Sequence, residues 1–187
     1  MTSFIGIYDN VINRSDCGFI INEFEASPDK IEGTVLTEKE LKVIPEWKKT
    51  LELREPKFSD SAPYSHYIKR AVFECMERYV KKFMPHIDTM FYFSVDDIFT
   101  FQKHETGDSG YKAWHCEHGP SLVAAVRLLA WQVFLNDSAG IDFLHYRNVK
   151  GKMGRVLIWP AGFTHMHRSS PNRKGNKYIV NGWASLR

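Results

Sequence analysis

Apolar residues in the first half of the chain recur at helical spacing. In "SDCGFIINEFEA" (15–26), Phe19, Ile20 and Phe24 share one face behind Ser15, a side chain suited to capping a helix start. "APYSHYIKRAVFECMERYVKKFM" (62–84) places Tyr64, Ile68, Val72, Met76, Tyr79 and Phe83 along one stripe, and Pro85 stops it. Residues 27–61, mostly polar and broken by Pro28, Gly33, Pro45 and Pro56, predict a loop with one helical turn. After Pro85 the pattern changes to short aromatic and β-branched runs. They lie at 91–94, 98–104, 111–117, 122–135, 141–146, 154–159, 162–168 and 177–185, divided by turns such as "TGDSG", "NDSAG", "VKGKMG" and "PNRKGN". Short strands at this spacing predict an antiparallel sandwich or barrel with the helices packed outside. The run 122–135 reads equally as a buried strand or a buried helix, because both are continuously apolar.

Composition narrows the function classes. A chain of 187 residues with 43 % apolar content has enough material for one substantial core. No repeat or linker divides it, so one domain is expected over 1–187. Residues 1–88 form a helical and loop support, and 89–187 the β core. The formal charge of +3 arises from 25 basic and 22 acidic residues spread along the chain, with no basic block for a phosphate backbone. No nucleic-acid partner is therefore expected. "MTSFIGIYDN" has neither the basic start nor the apolar stretch of a signal peptide. "SLVAAVRLLAWQVFL", broken by Arg127, is shorter than the ~20 residues of a membrane span. Cys17, Cys75 and Cys116 are odd in number and far apart, which speaks against a disulfide framework and for a reducing, cytoplasmic setting. Oligomeric state is not encoded in any of these features.

The segment "GYKAWHCEHG" (110–119) holds the candidate chemistry. In a strand, residues two apart point to one face, so His115 and Glu117 project together: an imidazole and a carboxylate, two ligands for Fe, Mn or Zn. A surface strand with a polar edge shows the same spacing. A third ligand is available in "WPAGFTHMHRSSPNRKGNKYIVNGW", where His165 and His167 are again two apart and share a face if that segment is a strand.

The offsets around these residues resemble the 2-oxoglutarate- and Fe(II)-dependent oxygenases of the prolyl 4-hydroxylase branch. "TGDSGYKAWHCE" is similar to that family's Gly-rich, Tyr-bearing lead into a His-x-Asp/Glu pair. Arg127, "FLND" (134–137) and "AGIDF" (139–143) follow in the family's order. Counted from His167, Pro171, Gly175 and Lys177 take the fourth, eighth and tenth positions, then come Tyr178 and Trp183; counting from His165 fits none of them. The likeness spans roughly 97–185, and more weakly the opening "FIGIYDNVINRSDCGFI".

The resemblance implies a double-stranded β-helix, a jelly roll of the cupin kind, mainly β with supporting helices. It implies Fe(II) on His115, Glu117 and His167, with 2-oxoglutarate as cosubstrate, O₂ as oxidant and ascorbate in support. Lys177 would then pair with the far carboxylate of 2-oxoglutarate, with Tyr111 and Arg127 as further pocket residues. His165 and Trp183 would stand behind the ligands. A peptide, with proline as the default target, or a small molecule is the implied substrate. Glu117 in place of aspartate, Trp114 lengthening the lead, Phe134 in place of a tyrosine, and Ile141 with Asp142 depart from the family pattern. Two other readings stay open: a cupin-like metalloenzyme that does not use 2-oxoglutarate, and an inactive relative serving as a binding module.

Overall fold

The computed structural model describes residues 2–37, 40–55, 63–86 and 92–187. The end of the expected loop (56–61) and residues 62 and 91 lie outside them. A seven-stranded antiparallel sheet runs from β1 (Gly6–Tyr8) through β12 (Arg155–Pro160), β9 (Arg127–Phe134), β14 (Lys177–Leu186), β7 (Phe93–His104) and β6 (Leu51–Glu55) to β2 (Ile31–Glu32). Because side chains alternate across a strand, this sheet has two very different faces. Phe99, Phe101, Trp131, Val133, Val156, Ile158 and Val180 point to one side, where α1 (Arg14–Ala26) and α2 (Pro63–Phe83) cover them. The α2 stripe of Tyr64, Ile68, Val72, Met76 and Tyr79 is buried there, as its helical spacing requires. Each such side chain contributes about 1.5–3 kcal/mol on leaving water.

The opposite face meets a three-stranded sheet of β11 (Val149–Gly151), β10 (Ser138–Phe143) and β13 (His167–Ser169). Ile141, Phe143 and Val149 pack against Ala130, Phe134, Leu157, Trp159 and Ile179. Two antiparallel sheets face to face, with helices outside, make the chain mainly β with the expected jelly-roll core.

Several local expectations are corrected. Asn13, not Ser15, caps α1: its Oδ1 accepts the Asp16 N–H at 2.9 Å, while the Ser15 hydroxyl donates to that same oxygen. The ambiguous run resolves as a short helix α3 (Leu122–Ala125) followed by β9, whose residues are buried on both faces. Residues 27–61 are not simply loop. They contain β2, β3 (Val35–Leu36), β4 (Leu41–Lys42), β5 (Lys48–Lys49) and β6. β3 pairs with β4 and β2 with β6 within this region, while β5 pairs with β8 (Gly110–Tyr111) and β6 also with β7, far along the chain. Most are only two residues long, so local periodicity carried little sign of them. The N-terminal region thus supplies strands to the main sheet at both edges. Gly140 on β10 is obligatory, since a Cβ there would lie 1.6 Å from the Val149 carbonyl oxygen.

Candidate metal centre

His115, Glu117 and His167 converge, each offering one ligand atom with all three atoms within 4.8 Å of one another. They do so without the continuous strand expected over 111–117. β8 ends at Tyr111, and His115 then forms an isolated antiparallel bridge with His167, bonded N–H to carbonyl in both directions at 3.0 and 2.8 Å. The Glu117 N–H is fixed on the Ala161 carbonyl at 2.9 Å. His115 and Glu117 therefore project together through a bridge of one residue pair rather than through a strand.

The tautomers follow from the backbone. His115 Nδ1 lies 2.9 Å from the Ala113 carbonyl, and His167 Nδ1 lies 2.9 Å from the His165 carbonyl. Each carbonyl can only accept, so each Nδ1 carries its proton and each Nε2 faces inward. Those Nε2 atoms lie 3.9 and 3.1 Å from Glu117 Oε1. Burial, then the neighbouring His167, pulls the His115 pKa down to about 3, which keeps that ring a neutral donor. Burial raises the pKa of Glu117, but the hydrogen bond and charge of His167, with His115 and Trp183, outweigh it and hold the carboxylate ionised. Two imidazoles with Nε2 turned inward and a carboxylate, on one side of a cavity, fit a divalent iron, manganese or zinc ion.

The second layer is equally specific. The Trp183 indole N–H donates to Glu117 Oε2 at 2.7 Å, leaving Oε1 to face the imidazoles. The Arg127 guanidinium lies 3.6 Å above the Trp183 ring and donates to the Glu117 carbonyl at 3.0 Å. Tyr111 stacks on the His115 ring with centroids 3.6 Å apart, and burial raises its hydroxyl pKa to about 12. Gly110, at φ 111°, brings the chain in so closely that a Cβ would sit 2.7 Å from Ser169 Cβ. His165 corrects an expectation: it ends a 3₁₀ turn (Phe163–His165), not a strand shared with His167. Its ring stacks on Tyr146 and contacts the Ser3 carbonyl, so it touches the centre through its backbone carbonyl alone.

The three ligands open onto a cavity of about 350 Å³ lined also by Tyr111, Arg127, Trp159 and Trp183. Lys177 begins β14 nearby. Its ammonium is wholly buried and donates to the Gly140 carbonyl at 2.8 Å, and desolvation pulls its pKa down to about 7. It does not itself line the cavity. Ile179, two residues on along the same face of β14, and Ile141, next to Gly140, do. An ammonium has three donors, and one carbonyl is its only hydrogen-bond partner among the described residues, so it fits a ligand carboxylate.

The sequence gave no role to a polar strip on the cavity face of the main sheet. Arg54, Thr100, Asn181 and Gln132 are successive cross-strand partners on β6, β7, β14 and β9. Gln132 Nε2, Asn181 Oδ1 and Trp159 Nε1 are buried without a protein partner. Beside them Glu52, fully buried, accepts from Lys48, Arg54, Thr50 and Gln102. The alternation in "LELRE" was a usable sign: Leu51 and Leu53 face the helix-covered core, while Glu52 and Arg54 face the cavity.

No protein-family model matches the sequence, and no curated protein is significantly similar to it. Solved structures are similar in fold. A prolyl hydroxylase from Trichoplax adhaerens, in complex with a hypoxia inducible factor peptide fragment, superposes with a TM-score of 0.76 at 11 % identity, over 98 % of this chain and 84 % of that one. A Pseudomonas putida prolyl-4-hydroxylase gives 0.71 at 12 %, over 100 % and 94 %. A viral collagen prolyl hydroxylase from Paramecium Bursaria Chlorella virus-1, in its 2-oxoglutarate complex, gives 0.66 at 14 %, over 97 % and 95 %. The fold of this chain is that of the prolyl-hydroxylase-like 2-oxoglutarate and Fe(II) oxygenases.

Proposed function

We propose that the protein is an Fe(II)- and 2-oxoglutarate-dependent dioxygenase, hydroxylating a residue in a peptide, with proline the default by resemblance. The observation that carries this reading is the inward convergence of two Nε2 atoms and one carboxylate oxygen, with both Nδ1–H groups tied to backbone carbonyls. His115, Glu117 and His167 hold the metal on one face and leave the opposite side open to the cavity. Bound iron and cosubstrate supply the oxygen activation for which side chains alone have no redox capacity. In the overall balance a substrate C–H becomes C–OH. One oxygen atom of O₂ enters that product, the other enters succinate, and 2-oxoglutarate loses CO₂.

The chain's own groups do the positioning. Lys177 pairs with the far carboxylate of 2-oxoglutarate, at a wall whose Ile141 and Ile179 are apolar. Trp183 orients Glu117, and Tyr111 clamps the His115 ring. Cys17, Cys75 and Cys116 are all free thiols, which suits a reducing compartment where ferrous iron persists. Protein supplied with Fe(II), ascorbate and 2-oxoglutarate should release succinate slowly even without substrate, and faster with a peptide or metabolite that fits. Absence of both succinate release and 2-oxoglutarate binding would defeat the reading.

A further inference from the structure

The cavity wall away from Lys177 has a charge pattern that the metal and cosubstrate leave uncompensated. Lys48, Arg54, Arg127 and Arg168 line the cavity against the carboxylates Glu52 and Glu117 and, behind Arg168, Asp142, a surplus of one positive charge. A dication at the centre and a dianionic cosubstrate cancel one another, so the surplus remains. Three of the four cations are already engaged. Lys48 sits 2.6 Å from Glu52, Arg127 lies over Trp183 against Glu117, and Arg168 lies 3.4 Å from Asp142 and over Trp114.

Arg54 differs. Its Nη2 alone is used, on Glu52 at 3.2 Å and on the Thr34 hydroxyl at 2.5 Å, which anchors the guanidinium from one side. Its Nη1 and Nε have no partner among the described residues, and its side chain is 35 % exposed. Glu52 is already shared among four groups, Oε1 with Lys48, Thr50 and Gln102 and Oε2 with the Arg54 Nη2. Along the sheet, Arg54 pairs with Thr100 and Thr100 with Asn181, so at roughly 4.8 Å per strand Arg54 stands about 10 Å from Asn181. The next inward residue of β14 is Trp183, which holds Glu117. A group the size of an amino acid spans that interval.

We propose that the substrate carries a carboxylate, bound by the free Nη1 donors of Arg54, while its oxidisable C–H lies over the three-ligand face. The inference rests on the oxygenase reading and adds the substrate's charge to it. A planar guanidinium held through Nη2 by a buried carboxylate is preorganised to donate a charge-assisted hydrogen bond to an anion. Thr100, Asn181 and Gln132 then offer neutral polar contacts between the two ends.

The test uses the full chain loaded with Mn(II) and saturating 2-oxoglutarate, with acetate and its neutral analogue acetamide as probes. Paramagnetic relaxation of the probe by bound Mn(II) reports occupancy of the cavity. Acetate should show saturable relaxation and acetamide little. Arg54→Met should weaken acetate about 10- to 100-fold, and Arg54→Lys should restore part of it. Glycine compared with a blocked pentapeptide containing one glutamate then separates a free acid from an acidic peptide as source. Equal binding of acetate and acetamide, acetate binding that survives Arg54→Met, or no saturable acetate binding overturns the proposal and leaves the oxygenase reading standing. A tenfold loss of 2-oxoglutarate affinity in Arg54→Met also overturns it, by making Arg54 the cosubstrate anchor. Failure to bind Mn(II) and 2-oxoglutarate at all removes both readings together.

Discussion

Replacing Lys177 by methionine should make the ligand-free protein more stable while disabling its use of 2-oxoglutarate. The ammonium is fully buried, with the Gly140 carbonyl as its hydrogen-bond partner, and burial lowers its pKa from 10.5 to about 7. At about 1.4 kcal/mol per pH unit, that drop corresponds to roughly 5 kcal/mol of cost for the charged form in the folded state. Methionine has similar length and no charge. It forfeits one hydrogen bond to Gly140, about 1 kcal/mol, and removes the desolvation cost. The sign of the pH dependence follows from the two protonation states. Below about pH 7 the lysine is charged in both folded and unfolded chains, and the cost is present in full. Between about 7 and 10.5 the unfolded chain holds the proton and the folded chain does not, so wild-type stability rises with pH by up to about 1.4 kcal/mol per unit. The gain from Lys177→Met should therefore be largest near pH 6 and shrink towards pH 9. Urea unfolding of both proteins across pH 6–9 measures it. A variant less stable than wild type at pH 6, or a difference that does not change with pH, would refute the account of Lys177 as a desolvated, under-paired cation. In the same variant the 2-oxoglutarate concentration for half-maximal succinate release should rise at least about tenfold.

His167→Ala should abolish Fe(II) or Mn(II) binding measured by titration under anaerobic conditions. His165→Ala should change it less than about tenfold, because only the backbone carbonyl of His165 meets the centre; the opposite ranking would exchange their roles. Trp183→Phe keeps the ring beneath Arg127 but removes the N–H that holds Glu117 Oε2, and should weaken the metal about tenfold; an unchanged affinity would show that Glu117 needs no such hold.

The legible parts of this protein are those in which a fixed spacing along the chain brings side chains to one place. His115 and Glu117 stand two apart and converge with His167, and Lys177 opens β14 two residues before the cavity-lining Ile179. Those offsets were visible before any fold was known. The helix α2 was visible because its stripe faces a core of nearby residues at a fixed period. The short strands of 27–55 were not, because most are only two residues long and β5 and β6 pair with β8 and β7, far along the chain. The strip of Arg54, Thr100, Asn181 and Gln132 escaped for a different reason. Each member looks like an ordinary polar residue in its own strand, and only the register across four strands brings them together.

That register also bears on why the centre tolerates a glutamate. A longer carboxylate has one more rotatable bond, so without restraint it would blur the position of the ligand oxygen. Here the extra length lets Oε2 reach the Trp183 indole at 2.7 Å while Oε1 stays beside both imidazoles. Trp183 is in turn positioned by the main sheet, where it pairs with Ala130 on β9, and it is covered by Arg127 from the start of that same strand. The restraint on Glu117 thus comes from the rigid seven-stranded sheet, whereas His167 comes from β13 of the smaller one. The candidate metal face is assembled across the gap between the two sheets. Its geometry consequently depends on the packing of Phe143, Trp159 and Ile179 that holds them apart at a fixed distance, more than on any single loop.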